Sequence, residues 1–117
     1  MNIYDLFNKG GNRPQGLRQA VIIHFDYGHE ELDPLHQLES KLRIALFHSG
    51  MGELDGHEIA MDATDGFLYL YGPSAEALFK SIRPLLLETP FMKKAEVYLR
   101  FGDIDDPGVT DIEFILE

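Results

Sequence analysis

Apolar residues recur along this chain with two different periods, and the switches between them mark out its elements. Val21, Ile23, Phe25 and Tyr27 alternate with Ile22, His24 and Asp26, which is the period of two of a strand. Asp33-Pro34 then reads as a helix cap followed by Pro in the first turn. Leu35, Leu38, Leu42, Ala45 and Leu46 follow at helical spacing, up to a stop at Gly50 or Gly52. Glu53 to Met61 and Phe67 to Tyr71 read as two strands joined by the hairpin signal Asp62-Ala63-Thr64-Asp65-Gly66. Gly72-Pro73-Ser74 closes the second of these and caps another helix, with Ala75, Leu78, Phe79, Ile82, Leu85 and Leu86 as its apolar face. Pro84 lies inside that pattern and is expected to kink the helix or end it. Ala95, Val97, Leu99 and Phe101 alternate with Glu96, Tyr98 and Arg100 in a fourth strand. After an acidic turn from Gly102 to Thr110, Ile112, Phe114 and Leu116 predict a fifth strand that pairs with the fourth.

The predicted order is β-α-β-β-α-β with one further strand. It places the chain in the α+β class, as a ferredoxin-like sandwich: an antiparallel sheet with two helices on one face and an extra C-terminal strand. The other face of the sheet must meet water or a partner. If each strand turns its more apolar set inward, that face carries His24, Asp26, Glu96, Tyr98, Arg100 and Glu113. The Phe67–Tyr71 strand fits either way, and Leu68 and Leu70 inward would leave Phe67, Tyr69 and Tyr71 outward. With the first and third strands as central neighbours, His24 would lie near Tyr69, with Tyr98 on its other side.

Length and charge narrow the picture. The 117 residues amount to one domain, read as 21–117 behind a partly flexible N-terminal arm of residues 1–20. Ile3, Leu6 and Phe7 could form one apolar helical turn of that arm, ahead of the loop-like Lys9-Gly10-Gly11-Asn12-Arg13-Pro14-Gln15-Gly16. Lys9, Arg13 and Arg18 against Asp5 give the arm a net +2, so the rest carries about −12 of a total of −10. That balance disfavours nucleic-acid phosphate and anionic membranes, and it fits a basic protein or a cation. An RNA-recognition domain would use the same open sheet face, but with Lys and Arg where this chain has Asp26, Glu58, Glu96 and Glu113.

The absence of cysteine excludes a disulfide framework, thiolate zinc sites and a Cys nucleophile. Met1-Asn2-Ile3-Tyr4-Asp5 does not read as a signal peptide, and no apolar run approaches a membrane span. A cytoplasmic location is the expectation.

Motifs for chemistry are sparse. His24-x-Asp26 puts two polar groups on one strand face, and His57 or Glu58 could approach them, yet no third ligand stands at a diagnostic spacing. His29, His36 and His48 form no HExxH-type motif. Asp103-x-Asp105-Asp106-x-Gly108 starts like a calcium loop but has Pro107 and Phe114 where oxygen ligands are needed. Glu53, Asp55 and Glu58 bracket a turn into a strand, with Asp55-Gly56 as the turn. Ser49, Ser74 and Ser81 lack a nucleophile elbow, and no Gly-rich phosphate loop is present. No catalytic residue, metal or cofactor is expected.

The runs Gly52-Glu53-Leu54-Asp55-Gly56-His57-Glu58, Leu70-Tyr71-Gly72-Pro73-Ser74-Ala75-Glu76-Ala77-Leu78-Phe79, Ile82-Arg83-Pro84 and Val97-Tyr98-Leu99-Arg100-Phe101-Gly102 resemble a group of small bacterial proteins of unassigned function. Those runs punctuate structure and transfer no catalytic residue. In size, charge and domain style the chain also looks like immunity proteins of bacterial contact-dependent and polymorphic toxin systems. That likeness implies a non-catalytic protein-binding module that neutralises a basic, nuclease-type toxin domain through an acidic surface. On this reading Asp26, Glu58, Asp62, Asp65, Asp103, Asp105 and Asp106 meet the basic partner, while Tyr69, Tyr71 and Tyr98 supply anchors. A small-molecule- or metal-responsive regulatory domain that forms a homodimer through its sheet is the alternative.

Overall fold

The computed structural model describes residues 19–102 and 111–117. Five strands form one antiparallel sheet in the order β2-β3-β1-β4-β5: β1 Gln19–Asp26, β2 Glu53–Ile59, β3 Asp65–Gly72, β4 Glu96–Arg100 and β5 Asp111–Ile115. Helices α1, Asp33–Ser49, and α2, Ala75–Leu87, connect β1 to β2 and β3 to β4. The topology is the expected ferredoxin-like one, with β5 added beside β4. The expectations that fall on residues 1–18 and 103–110, including the Ile3-Leu6-Phe7 turn and Asp103, Asp105 and Asp106, lie outside the described residues.

Strand alternation sorts the side chains into two buried clusters. Val21, Ile23 and Phe25 of β1, Leu68 and Leu70 of β3, and Val97 and Leu99 of β4 meet Leu35, Leu38, Leu42 and Leu46 of α1 and Ala75, Leu78, Phe79, Ile82 and Leu86 of α2. On the opposite face Ala20, Ile22, Tyr69 and Tyr71 form a smaller cluster, with Phe67 and Tyr98 packed against it. The ambiguity of the Phe67–Tyr71 strand is thus resolved with its leucines under the helices and its aromatic rings on the other side. β1 is buried on both faces, with Val21 and Ile23 at 0% exposure and Ile22 at 3%.

Local chemistry accounts for most of the boundaries. α1 stops at Gly50, whose φ of 69° is the left-handed conformation that glycine adopts without penalty, and its N–H bonds the Leu46 carbonyl at 2.9 Å. Its start differs from the expectation. Leu32 is the cap residue and Asp33 the first helical one, so Asp33 favours the helix by its charge in the first turn and not by a capping bond. Ser74 caps α2 as expected, accepting from the Ala77 N–H at 3.2 Å, and the Gln19 side-chain oxygen accepts from the Ala75 N–H at 2.8 Å. Both satisfy donors that the first helical turn leaves open.

α2 continues through Pro84 to Leu87. Pro84 comes near the C-terminal end, where one missing N–H costs a single bond. Its own carbonyl accepts from the Glu88 N–H, and the Thr89 hydroxyl donates to the Leu85 carbonyl at 2.8 Å. A 3₁₀ turn, Pro90–Met92, follows and buries Met92.

The hairpin departs from the expected bounds as well. Asp65 and Gly66 belong to β3, where they pair with Asp26 and Phe25 of β1. The loop is therefore Ala60–Thr64, tied by the Asp62 carboxylate to the Thr64 N–H and hydroxyl. A side chain at Gly66 would run into Ile59 and the Glu58 carbonyl oxygen. Asp55-Gly56 is no turn either. It lies within β2, at a shift of register between Leu54 and Gly56, which makes it a β-bulge.

The double layer predicts where substitutions are felt. Leu70→Ala, at a site with 0% exposure in the helix-side core, is expected to cost about 2–5 kcal/mol in urea denaturation. Ile44→Ala, on the 61% exposed outer side of α1, is expected to stay within about 0.5 kcal/mol.

Candidate functional site

The sheet face away from the helices collects carboxylates. Register places Asp26 opposite Asp65, His24 between Phe67 and Glu96, Glu58 beside Phe67, Glu53 beside Tyr71, Glu113 beside Tyr98 and Asp111 beside Arg100. Arg100 is itself bound to Asp111, with its Nη1 at 3.1 and 3.0 Å from the two carboxylate oxygens. The remaining acidic groups form a negative rim around the aromatic cluster.

His24 is the centre of this face. Its Nε2 lies 2.7 Å from Asp65 Oδ2 and its Nδ1 3.3 Å from Glu96 Oε1. The ring stacks on Phe67 with centroids 4.6 Å apart and planes 21° apart. A neutral imidazole donates from one nitrogen only, whereas the imidazolium donates from both, so two flanking carboxylates select the charged form. Partial burial lowers the His24 pKa, but the hydrogen bonds and charges of Asp65 and Glu96 outweigh it and leave the pKa above its ordinary value.

The tyrosines orient the carboxylates. The Tyr98 hydroxyl donates to Glu96 Oε2 at 2.9 Å, and the Tyr69 hydroxyl points to Glu58 Oε2 at 3.4 Å. The bond from Tyr98, and next the one from His24, hold Glu96 below the usual carboxylate range. Burial first, then Glu96, push the Tyr98 phenol up to about 12. Burial and the neighbouring Glu58 push Tyr69 up as well, so both phenols stay protonated donors at neutral pH. His24 lies two residues from the expected Tyr69 neighbour and against Phe67, because Tyr69 pairs with Ile22.

The residues singled out from the sequence divide by accessibility. Asp26, Glu58 and Asp62 are exposed, and Asp65 is half-buried against His24. Tyr69 and Tyr71 are each 6% exposed, so their rings pack within the protein, while Tyr98 is half-buried. His57 does not approach His24-x-Asp26, since it lies on the opposite face.

A second group of side chains sits on that helix side. His57 Nδ1 lies 3.0 Å from both Oε1 and Oε2 of Glu39, a carboxylate only 7% exposed on α1. His36, one turn earlier on α1, brings its ring to 6.0 Å from that of His57. One ligand atom from each of His36, Glu39 and His57 lies within 4.8 Å of the others. Sequence reading missed this group. His36-x-x-Glu39 has the i, i+3 spacing that aligns two side chains on a helix, but plain alternation along β2 would put His57 on the side of Glu53. The bulge adds one residue, so Leu54, His57 and Ile59 face the helices while Glu53 and Glu58 face away.

Comparison with known proteins gives no matching family model, no matching curated protein and no matching solved structure. Among the described residues no helix is long and apolar enough to cross a membrane.

The geometry of His24 sets a pH dependence. A raised folded pKa gives stability that is complete below the unfolded value of 6.5 and is lost as pH rises through the folded value. Glu96, with a lowered pKa, contributes above its unfolded value of 4.5 and loses that contribution as pH falls through the folded one. The stability difference between the native chain and His24→Gln is therefore expected to peak between these two values and to shrink on the alkaline side. Thermal melts across pH check this, and the NMR titration midpoint of the His24 ring is expected above 6.5.

Proposed function

We propose that this protein is a non-catalytic protein-binding module whose acidic sheet face docks a basic partner, a nuclease-type toxin domain being the sharpest case. The observation that supports it is the array of Glu58, Asp26, Asp65, Glu96 and Glu113 on one face, in which His24 and the Tyr69 and Tyr98 hydroxyls hold Asp65, Glu96 and Glu58. Carboxylates held in place before binding lose little side-chain entropy when a cation meets them. A net charge of −10 adds long-range attraction for a basic surface.

The exposed carboxylates make the polar contact on this reading. Tyr69 and Tyr71 act from beneath as a packed floor, and the Tyr69 hydroxyl orients Glu58. His24, with both ring nitrogens on carboxylates, serves as a charged strut. Like charge works against a second copy of the chain docking on the same face.

The test is capture from the native host's lysate with a salt series, run beside a variant carrying Asp26→Asn, Glu58→Gln and Glu113→Gln. All three positions are exposed, so the fold is kept. The native chain is expected to hold a stoichiometric basic partner that salt releases, and the variant to associate roughly tenfold or more slowly at low salt. Equal binding by both chains at low and high salt would sink the proposal.

A further inference from the structure

We propose that His36, Glu39 and His57 form a binding site for a divalent transition-metal ion of the zinc class. This inference is independent of the acidic sheet face, which lies on the other side of the sheet. It stands on three features of the helix side.

The first is the donor set. Two imidazoles and one carboxylate are the ligands that zinc and its neighbours accept in the absence of thiolates, whereas calcium and magnesium prefer all-oxygen shells. The second is reach. A tetrahedral ion with bonds of about 2.0–2.1 Å needs its ligand atoms roughly 3.4 Å apart. Here the three lie within 4.8 Å of one another, and His57 Nδ1 is already 3.0 Å from both Glu39 oxygens. His36 is exposed on the surface of α1, which leaves its ring free to turn toward the other two ligands.

The third feature is the environment. Glu39 is a carboxylate in the buried stripe of α1, between Leu38 and Leu42, and burying such a charge is costly unless it is paired or bound to a metal. His57 meets both of its oxygens from the strand side. It reaches them because of the bulge before Gly56, and the Arg43 guanidinium, donating to the Leu54 carbonyl at 3.0 Å, ties α1 to the same strand. The ligands therefore come from two elements already held together by the core, a preorganised site that needs no folding event to assemble. Three protein ligands leave a fourth position open to water or to a donor from a ligand or partner, so the ion would be exchangeable and accessible.

The experiment uses the untagged full chain, stripped with a chelator and titrated with Zn²⁺ by calorimetry and with Co²⁺ by visible absorption. One ion per chain is expected, with a cobalt spectrum of tetrahedral nitrogen–oxygen coordination and a melting temperature raised by Zn²⁺. His36→Ala, Glu39→Gln and His57→Gln are each expected to weaken binding at least tenfold, the loss that removing a mere supporting partner of a ligand already produces. His48→Ala, at an exposed position near the end of α1, is expected to bind as the native chain does. The surface position of His36 keeps the test decisive even if the Glu39 and His57 variants fail to fold. Binding weaker than about 1 mM, or binding undiminished in His36→Ala, would overturn the proposal.

Discussion

The structure depends on β1, a strand that must be buried on both sides. Val21, Ile23 and Phe25 anchor the two helices, while Ala20 and Ile22 anchor the aromatic cluster on the opposite face. Over Ala20–Ile23 the strand leaves neither face to water, so there both of its edges must be paired and both of its faces covered, and only at His24 and Asp26 does its outer face turn polar. β3 and β4 take the edges. Once they are in register, every other side chain of the sheet is assigned to one face or the other, since a slip of one residue would exchange leucines for tyrosines and carboxylates.

That register makes the electrostatics of the second face. His24, near the end of β1, is met from β3 by Asp65 and from β4 by Glu96, and Phe67 supplies a ring for it to stack on. Two carboxylates reaching in from the strands on either side of β1 would repel each other across an empty gap. An imidazolium between them converts the repulsion into two charge-assisted contacts, and the Tyr98 hydroxyl takes the remaining oxygen of Glu96. The face thus stays negative while Asp65 and Glu96 are held in place.

On the helix side the bulge in β2 plays the corresponding part. It changes which residues of one edge strand look toward α1, and it brings His57 onto the buried carboxylate of Glu39. These two polar groups are separated by the sheet and arise from different causes. One follows from regular pairing along β1. The other follows from a single irregularity, and with regular alternation His57 would stand on the far side of the sheet from Glu39.

The elements were legible in the sequence because they rest on local rules. Period two at Val21–Tyr27, helical spacing from Leu35 to Leu46, Gly50 as a stop and Ser74 as a cap each involve only neighbours in the chain. The acidic balance and the lack of cysteine were likewise plain from composition. Where local signals compete the outcome differs: Asp33 resembles a cap but is the first helical residue, Asp55-Gly56 resembles a turn but is a bulge within β2, and of the two expectations at Pro84 the helix does not end there. Which face the tyrosines of β3 occupy, that His24 sits between Asp65 and Glu96, and that His36, Glu39 and His57 converge were decided only by the tertiary structure. These depend on the register between strands far apart in sequence and on one inserted residue in β2, and strand register is set by the joint packing of two faces, which no single segment of the chain contains.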